Sequence, residues 1–223
     1  MPNFKPSVAT HVSPNGTLLL VDGLRFHVPQ RALFSNWSVR IDPGVTLVLG
    51  GESSGKTTLL RLLAGDLAAQ AGSLQIKGVS LQAQPQAYRQ QVFWIDPRTE
   101  AFDAINANQF FAQQRIKWPN FLSAEAPAWA ELLAGLSLTE HQDKPLYMLS
   151  TGSKRKVWLA AAFAAGARVT LLDDPLAALD RASIRFVLQQ LENASQQTER
   201  AVVLAQYEAP PGVDLAQVID LGD

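Results

Sequence analysis

A short apolar segment followed by a glycine-rich loop constrains the fold of this chain more than any other feature of its sequence. Residues 45–49 are continuously apolar, which is typical of a buried strand. Residues 50–57 read Gly-Gly-Glu-Ser-Ser-Gly-Lys-Thr and match the pattern G-x-x-x-x-G-K-[ST]. A helix is predicted from 57 to 64, with Gly65 as its stop signal. Strand, loop and helix in this order predict a phosphate-binding loop and disfavour the alternative of a plain Gly/Ser turn.

The chemistry of this loop assigns roles to its residues. Glycine allows the backbone to curl around an anion, and the helix N-terminus adds a partial positive charge. Lys56 is predicted to reach the β- and γ-phosphates of a nucleotide, and the Thr57 hydroxyl to ligate Mg²⁺. The predicted nucleotide-binding residues are Gly50, Gly51, Glu52, Ser53, Ser54, Gly55, Lys56, Thr57 and Thr58.

Two acidic residues follow another apolar strand much later in the chain. The strand is predicted at 169–172, and Asp173 and Asp174 come directly after it. A carboxylate at the C-terminal end of a parallel strand, beside a phosphate loop, is placed to hold Mg²⁺. We predict that role for Asp173, and that Asp174 faces the attacking water as a base or a positioning group. The alternative, a simple turn that ends the strand, is weakened by the phosphate loop upstream.

The order of predicted elements indicates an α/β fold with a mainly parallel sheet. Residues 17–44 predict a small antiparallel β subdomain with a hairpin-type turn at Asp22-Gly23. In 45–96 and 166–223, apolar strands alternate with helices, which implies a parallel sheet. Residues from about 97 to 165 carry helical patterns punctuated by prolines and predict a helical insertion. The first dozen residues predict a loose arm.

Composition and charge exclude several classes of protein. The chain has 223 residues, with 19 Lys plus Arg, 20 Asp plus Glu and a formal net charge of −1, which argues against a general nucleic-acid binder. It has no cysteine, which excludes a disulfide scaffold, a thiol nucleophile and a Cys-ligated metal. The start of the sequence does not predict a signal peptide, and the longest apolar run, 157–167, is shorter than the roughly 20 residues that a membrane span needs.

A second candidate anion site precedes an alanine-rich helix. The segment 149–153 reads Leu-Ser-Thr-Gly-Ser, and its hydroxyls and N–H groups could bind a phosphate. The same residues are also compatible with an ordinary helix N-cap. The basic cluster 154–156 that follows is interpreted as a solvated face or a partner contact, and not as a nucleic-acid patch.

In this order the motifs resemble those of the ATP-binding subunit of ABC transporters, over essentially the whole chain. LSTGS at 149–153 occupies the place of the family's LSGGQ signature, VTLLDD at 169–174 that of Walker B, and LAALD at 176–180 that of the D-loop. The resemblance implies a P-loop NTPase core within a single ABC ATPase domain over 1–223. It also implies ATP and Mg²⁺ as cofactors.

The resemblance implies two kinds of partner. One is a second ATP-binding subunit, identical or different, in a head-to-tail dimer. Ser150, Thr151 and Gly152 of one subunit would then contact the ATP held by the phosphate loop of the other. The second partner is a transmembrane permease subunit that contacts the helical insertion, which would place the chain in the cytoplasm on the inner face of the cell membrane. No nucleic-acid partner is implied.

The sequence departs from the family pattern at positions that bear on hydrolysis. The family's catalytic Glu is Asp174 here. Its switch His is replaced by Tyr207, whose hydroxyl could still donate one hydrogen bond to a phosphate. The Gln expected after the strand predicted at 92–95 is Asp96, which could ligate Mg²⁺. For stacking on adenine we expect Phe26 or His27, although an aromatic residue in an N-terminal strand is as often part of the core.

The residues predicted to bind Mg-ATP are therefore intact, whereas those expected to drive its hydrolysis are altered. We predict that the chain binds Mg-ATP and hydrolyses it slowly, as the ATPase subunit of a membrane transporter. An alternative is an ATP-gated dimerisation or regulatory module with little or no hydrolysis. A soluble ABC ATPase acting on ribosomes or DNA is disfavoured, because such members carry two cassettes or a long coiled coil.

Overall fold

Two β-sheets form the framework of the computed structural model, which describes residues 7–10, 16–29 and 31–222. The strands are β1 (Ser7–Thr10), β2 (Leu19–Val28), β3 (Arg31–Ile41), β4 (Gly44–Leu49), β5 (Ala71–Ile76), β6 (Val79–Ser80), β7 (Val92–Phe93), β8 (Val169–Asp173), β9 (Ala201–Gln206) and β10 (Gln217–Asp220). One sheet has the order β1-β10-β4-β9-β8-β7 and the other the order β3-β2-β5-β6.

The first sheet is parallel except at its β1 edge, where β1 runs antiparallel to β10. The prediction of a mainly parallel sheet is therefore confirmed. Strand β9 is buried along its whole length, as expected for a parallel strand that is covered on both faces. The loose arm predicted for the first dozen residues is wrong at Ser7–Thr10, because these residues pair with β10; the remainder of that arm lies outside the described residues.

The second sheet is antiparallel, as the sequence predicts, but it is larger than expected. The predicted hairpin at Asp22-Gly23 is wrong: β2 continues through these residues, which lie at a bulge where its register with β3 and β5 shifts. Gly23 adopts a φ of 62°, and its N–H donates to Ser38 Oγ. Strands β5 and β6 join the sheet, which therefore extends beyond the predicted range 17–44.

The helices are α1 (Lys56–Leu63), α2 (Pro85–Arg89), α3 (Ala107–Lys117), α4 (Pro127–Gly135), α5 (Thr151–Ala164) and α6 (Arg181–Ser195). Three of them, α3, α4 and α5, lie in the stretch for which a helical insertion is predicted. No helix in the described ranges is long and apolar enough to cross a membrane.

Two apolar clusters fill the interior. One surrounds the helical insertion, where the rings of Phe110 and Trp158 meet with their centroids 4.9 Å apart. The other packs the α1 helix against the strands through four buried leucines, Leu59, Leu60, Leu62 and Leu63. Each fully buried leucine stabilises the fold by about 1.5–3 kcal/mol. This packing fixes α1, and with it the loop that precedes the helix.

Candidate nucleotide-binding site

The loop between β4 and α1 has a backbone suited to an anion. Ser53 and Gly55 both adopt left-handed conformations, with φ of 59° and 106°, which curl the loop. Serine carries strain in this conformation that glycine would avoid. Among the described residues, α1, like α2 and α4, starts without a side-chain cap, whereas α3, α5 and α6 are capped by side chains. The first N–H groups of α1 are therefore free of side-chain acceptors and can serve a ligand.

The sheet brings this loop to the predicted acidic residues. Strands β4, β9 and β8 are neighbours, with Leu49 opposite Gln206 and Ala205 opposite Asp173, so their C-terminal ends meet at one edge. There the Thr57 hydroxyl donates a 2.7 Å hydrogen bond to Asp173 Oδ2. Burial raises the pKa of the Asp173 carboxyl, and the hydrogen bond from Thr57 opposes that rise.

A cleft of about 750 Å³ opens at this edge, within the usual range for a small-molecule site. It brings together the predicted residues Ser53, Ser54, Gly55, Lys56, Thr57, Thr58, Asp173, Asp174 and Tyr207. It also includes residues that sequence reasoning missed, namely Val28, Pro29, Arg31, Leu33, Pro97, Arg98, Arg155 and Gln206. Gly50, Gly51 and Glu52 lie in the loop but outside the cleft lining.

The residues at the sheet edge fit a magnesium ion. The Thr57 hydroxyl and the Asp173 carboxylate are oxygen donors of the kind that Mg²⁺ prefers. A partly buried carboxylate is also stabilised by a neighbouring cation. Within the described ranges no cluster of three or more His, Cys, Asp and Glu residues is found. Mg²⁺ bound with a nucleotide needs only one or two protein carboxylates, because phosphates and waters complete its shell.

Asp96 is paired with a neighbouring arginine. Its Oδ1 accepts a hydrogen bond from the backbone N–H of Arg98 and lies 3.6 Å from Arg98 Nε. Its charge contributes to the raised pKa of Asp173, after burial, the hydrogen bond from Thr57 and the charge of Arg98. Asp96 does not line the cleft, so its role as a Mg²⁺ ligand stays a prediction.

The backbone of Asp174 is held from two sides. Its N–H donates to Ala205 O at 2.8 Å, and its carbonyl accepts a hydrogen bond from Arg155 Nη1 of α5. The residue has a φ of 47°, a strained conformation for a residue with a side chain. The carboxylate that should face the attacking water therefore projects from a fixed point of the main chain.

The basic cluster at 154–156 has internal partners, so its interpretation as a solvated face is wrong, whereas a partner contact stays a prediction. Lys154 Nζ donates to Asp103 at 2.6 Å, Arg155 to the carbonyl of Asp174, and Lys156 Nζ to Asp180 at 2.5 Å. The lysine and the helix-capping N–H of Ser183 hold the pKa of Asp180 well below its usual range. Arg155 and Lys156 thus tie α5 to the segment that follows β8, and Lys154 ties it to the loop that precedes α3.

Lys56 lies along the loop that precedes it. Its Nζ donates to Gly50 O and Gly51 O, both at 2.6 Å, and lies 4.1 Å from the centroid of the Tyr207 ring. Burial lowers the pKa of Lys56, and the charges of nearby acidic residues oppose that shift. Tyr207 therefore meets the loop through its ring.

The predicted adenine-stacking residues lie outside the cleft lining. Phe26 is half-buried, faces Phe34 across the strand pair and packs on the second apolar cluster. The His27 ring is within hydrogen-bond distance of Gln70 Oε1, at 2.8 Å. The cleft wall on this side is formed by aliphatic residues and by Arg31, whose Nη1 donates to Ser53 O at 3.2 Å. Only the contact across the folded loop reveals Arg31, so no local sequence signal could have found it.

The signature segment also lies outside this cleft. Ser150 Oγ accepts the Ser153 N–H at 3.1 Å, which makes Ser150 the N-cap of α5. Both Ser150 and Thr151 are exposed. Gly152 packs against the D-loop so closely that a Cβ added there would lie 2.3 Å from Ala178 O. These residues are thus available to a partner rather than to the chain's own cleft.

Comparison with known proteins identifies relatives of this arrangement. Residues 34–177 match the family model described as ABC transporter. The chain is 32% identical to a Nitrosococcus oceani cytochrome c biogenesis ATP-binding export protein CcmA, over 85% of each chain. It is 36% identical to the Rhodospirillum rubrum protein of that name over 70% of this chain and 65% of the relative. It is 35% identical to a Pseudomonas entomophila taurine import ATP-binding protein TauB over 76% of this chain and 64% of the relative.

Solved structures share the fold. A putative ABC transporter ATP-binding protein from Pyrococcus furiosus superposes with a TM-score of 0.73 at 20% identity, covering 91% of this chain and 96% of that one. Another ATP-binding subunit of an ABC transporter also gives a TM-score of 0.73 at 20% identity, covering 86% of this chain and 80% of the other.

Proposed function

Because the chain belongs to the ABC transporter family, we propose that it is the ATP-binding subunit of a transporter and couples ATP binding and slow hydrolysis to transport through a separate membrane partner. The observation that carries the proposal is the 2.7 Å contact between Thr57 and Asp173 at the mouth of an uncapped helix. It joins the phosphate-binding loop to the acidic end of β8 within one cleft. We propose that a single ABC ATPase domain spans 1–223.

Each part of the cleft has a proposed task in binding ATP. The loop and the first turn of α1 hold the phosphates, and Lys56 neutralises their charge. Thr57 and Asp173 would hold Mg²⁺, which supplies charge neutralisation at the phosphates. The base lies on the aliphatic wall that includes Val28 and Leu33, where Arg31 closes the cleft beside the loop.

Three altered positions support slow hydrolysis. The Asp174 side chain is one methylene shorter than the glutamate of the family pattern, and a misplacement of about 1 Å can cost roughly 10²-fold in rate. Its main chain is hydrogen-bonded to Ala205 and Arg155, and these contacts oppose a backbone shift that would compensate for the shorter side chain. Tyr207 replaces a histidine, and Asp96 is paired with Arg98. The same observations favour the second candidate function, an ATP-gated dimerisation module with little or no turnover.

We propose that the signature acts in trans. Ser150, Thr151 and Gly152 would contact the nucleotide of a second ATP-binding subunit, identical or different, in a head-to-tail dimer. A permease subunit would hold the chain at the inner face of the cell membrane. No nucleic-acid partner is proposed, because the basic cluster 154–156 is used within the chain.

Light scattering with and without Mg-ATP tests this arrangement. We expect ATP to convert a purified monomer into a dimer in the wild type. Lys56→Ala should remain monomeric because it cannot hold the phosphates, and Ser150→Arg should bind ATP but not dimerise. Dimerisation that persists in Ser150→Arg would contradict the role in trans, and a wild type that binds ATP but stays monomeric would contradict a homodimer.

A further inference from the structure

The Lys56 ammonium contacts two backbone carbonyl oxygens and one aromatic ring. Two of its N–H groups are used by the carbonyl oxygens of Gly50 and Gly51, both at 2.6 Å. The third neighbour is the Tyr207 ring, whose centroid lies 4.1 Å from Nζ, well within the range of a cation–π contact. No ion pair between this ammonium and a carboxylate is found in the described ranges. The ring is therefore its electron-rich partner on the side of the cleft.

The geometry of Tyr207 favours use of the ring over the hydroxyl. The residue directly follows β9, whose last residue, Gln206, pairs with Leu49 at the start of the loop. Its backbone is thus held in register with the loop. The side chain is 55% exposed, and the hydroxyl has no hydrogen-bond partner among residues 16–29 and 31–222. The contact with the protein is made by the face of the ring.

A ring face suits the task of holding an ammonium that must also bind a phosphate. An ammonium has three donors, and two are committed to the loop carbonyls. The ring quadrupole attracts the charge without accepting a conventional hydrogen bond, so the third donor stays free.

We propose that Tyr207 acts in nucleotide binding through the face of its ring, as a positioning residue that holds the Lys56 ammonium at the loop, and that its hydroxyl does not contact the γ-phosphate. The inference rests on the proposed function, in which Lys56 reaches the β- and γ-phosphates. A ring contact with Lys56 and a hydroxyl contact with the γ-phosphate predict different effects on the two nucleotides. Loss of a contact that acts through Lys56 lowers the affinity for both MgADP and MgATP. Loss of a hydroxyl contact with the γ-phosphate lowers the affinity for MgATP alone.

Calorimetric titration of MgADP and MgATP into purified protein tests the inference. We expect Tyr207→Leu to weaken both nucleotides by a similar factor, about 3- to 10-fold, the size of a partly shielded cation–π contact. Tyr207→Phe, which keeps the ring and loses the hydroxyl, should rescue both affinities. Tyr147→Leu is the matched control, because it removes a tyrosine that is 60% exposed and lies outside the cleft.

Two results would overturn the inference about Tyr207. Weakening of MgATP alone, in the Phe and Leu variants alike, would overturn the inference in favour of a hydroxyl contact. Unchanged affinities in Tyr207→Leu would overturn it as well. If the leucine variant does not fold, Tyr207→Gln provides a polar side chain without a ring. It should weaken MgADP and MgATP binding by a similar factor. A wild type that binds neither nucleotide would count against the proposed function itself.

Discussion

The Thr57 hydroxyl donates a 2.7 Å hydrogen bond to Asp173 Oδ2, joining two residues 116 positions apart in the chain. Thr57 is the second residue of α1 and Asp173 is the last residue of β8. The bond therefore connects the phosphate-binding loop with the acidic edge of the parallel sheet. Both groups are oxygen ligands suited to Mg²⁺, so changes here should act on the metal–nucleotide complex.

Asp173→Asn should separate the role of this residue in metal binding from its role in stability. We expect affinity for Mg²⁺ in the presence of ATP to fall on the order of 10- to 100-fold, the loss typical when groups around a metal are removed. Because burial raises the pKa of Asp173, its charge is unfavourable in the free protein. The midpoint of thermal unfolding without ligand should therefore be equal or higher in the variant. A lower midpoint with unchanged Mg²⁺ dependence would contradict this assignment.

Asp174→Glu should increase turnover. The longer side chain restores about one methylene of reach from a backbone that Ala205 and Arg155 hold in place. A gain of roughly 10-fold or more in kcat is expected, with little change in KM, because the proposed role of this residue is to orient or activate the attacking water. Asp174→Asn is the matched control and should bind ATP without turnover. Equal rates in the wild type and the glutamate variant would show that the shorter side chain does not limit hydrolysis.

Phe26→Leu and Arg31→Ala should differ in their effect on ATP affinity. Phe26 lies outside the cleft lining, so its replacement should leave the Kd for MgATP within about twofold, because it removes no contact with the nucleotide. Arg31 lines the cleft and donates to Ser53 O in the loop, so its truncation should weaken binding by about 3- to 10-fold, the net value of one ordinary hydrogen bond. Fluorescence titration with a labelled ATP analogue would measure both. The opposite order would restore Phe26 as the base-stacking residue.

The sequence predicts well those parts of the site that depend on local pattern. The strand, loop and helix around Lys56 form one contiguous motif, so neighbouring residues are enough to predict them. The bulge at Gly23 could not be predicted, because it depends on β2 pairing with strands on both sides. The same holds for the ring contact of Tyr207 with Lys56, since the two residues meet only after β4 and β9 have paired.

The basic cluster shows why charge patterns in sequence are hard to interpret. Three adjacent cations look like a solvated face, yet each of them contacts a residue at least 19 positions away in sequence. Their partners are a loop carboxylate, a backbone carbonyl and a helix cap, and only the last of these is suggested by its local sequence. Helix geometry allows adjacent side chains to diverge in this way, because residues one apart do not share a face.

The ion pair between Lys156 and Asp180 should contribute stability that depends on pH. Asp180→Ala removes both the helix cap and the ion pair, while Asp180→Asn keeps a good capping side chain and loses only the charge. The alanine variant should be less stable than the asparagine variant by about 1 kcal/mol.

The pH dependence of this pair follows from its lowered pKa. The pKa of Asp180 lies below its ordinary value of about 3.9, so its charge stabilises the fold fully above that pH and the gain is lost as the pH falls towards the lowered value. Urea unfolding should therefore show a gap between the wild type and Asp180→Asn at pH 7 that narrows once the pH falls below about 4. A gap that does not change with pH would mean that the ion pair does not act on stability.

The rate of Mg-ATP turnover by the purified protein at high concentration, with Lys56→Ala as the blank, tests the central claim most directly. The cleft holds most of the groups that we propose bind Mg-ATP, while the groups proposed to assist hydrolysis depart from the family pattern at Asp174 and Tyr207. We predict turnover above the blank but well below tens per second, together with saturable binding of ATP. Turnover of tens per second would contradict the account of hydrolysis, and a wild type indistinguishable from Lys56→Ala in both binding and turnover would contradict the proposed function.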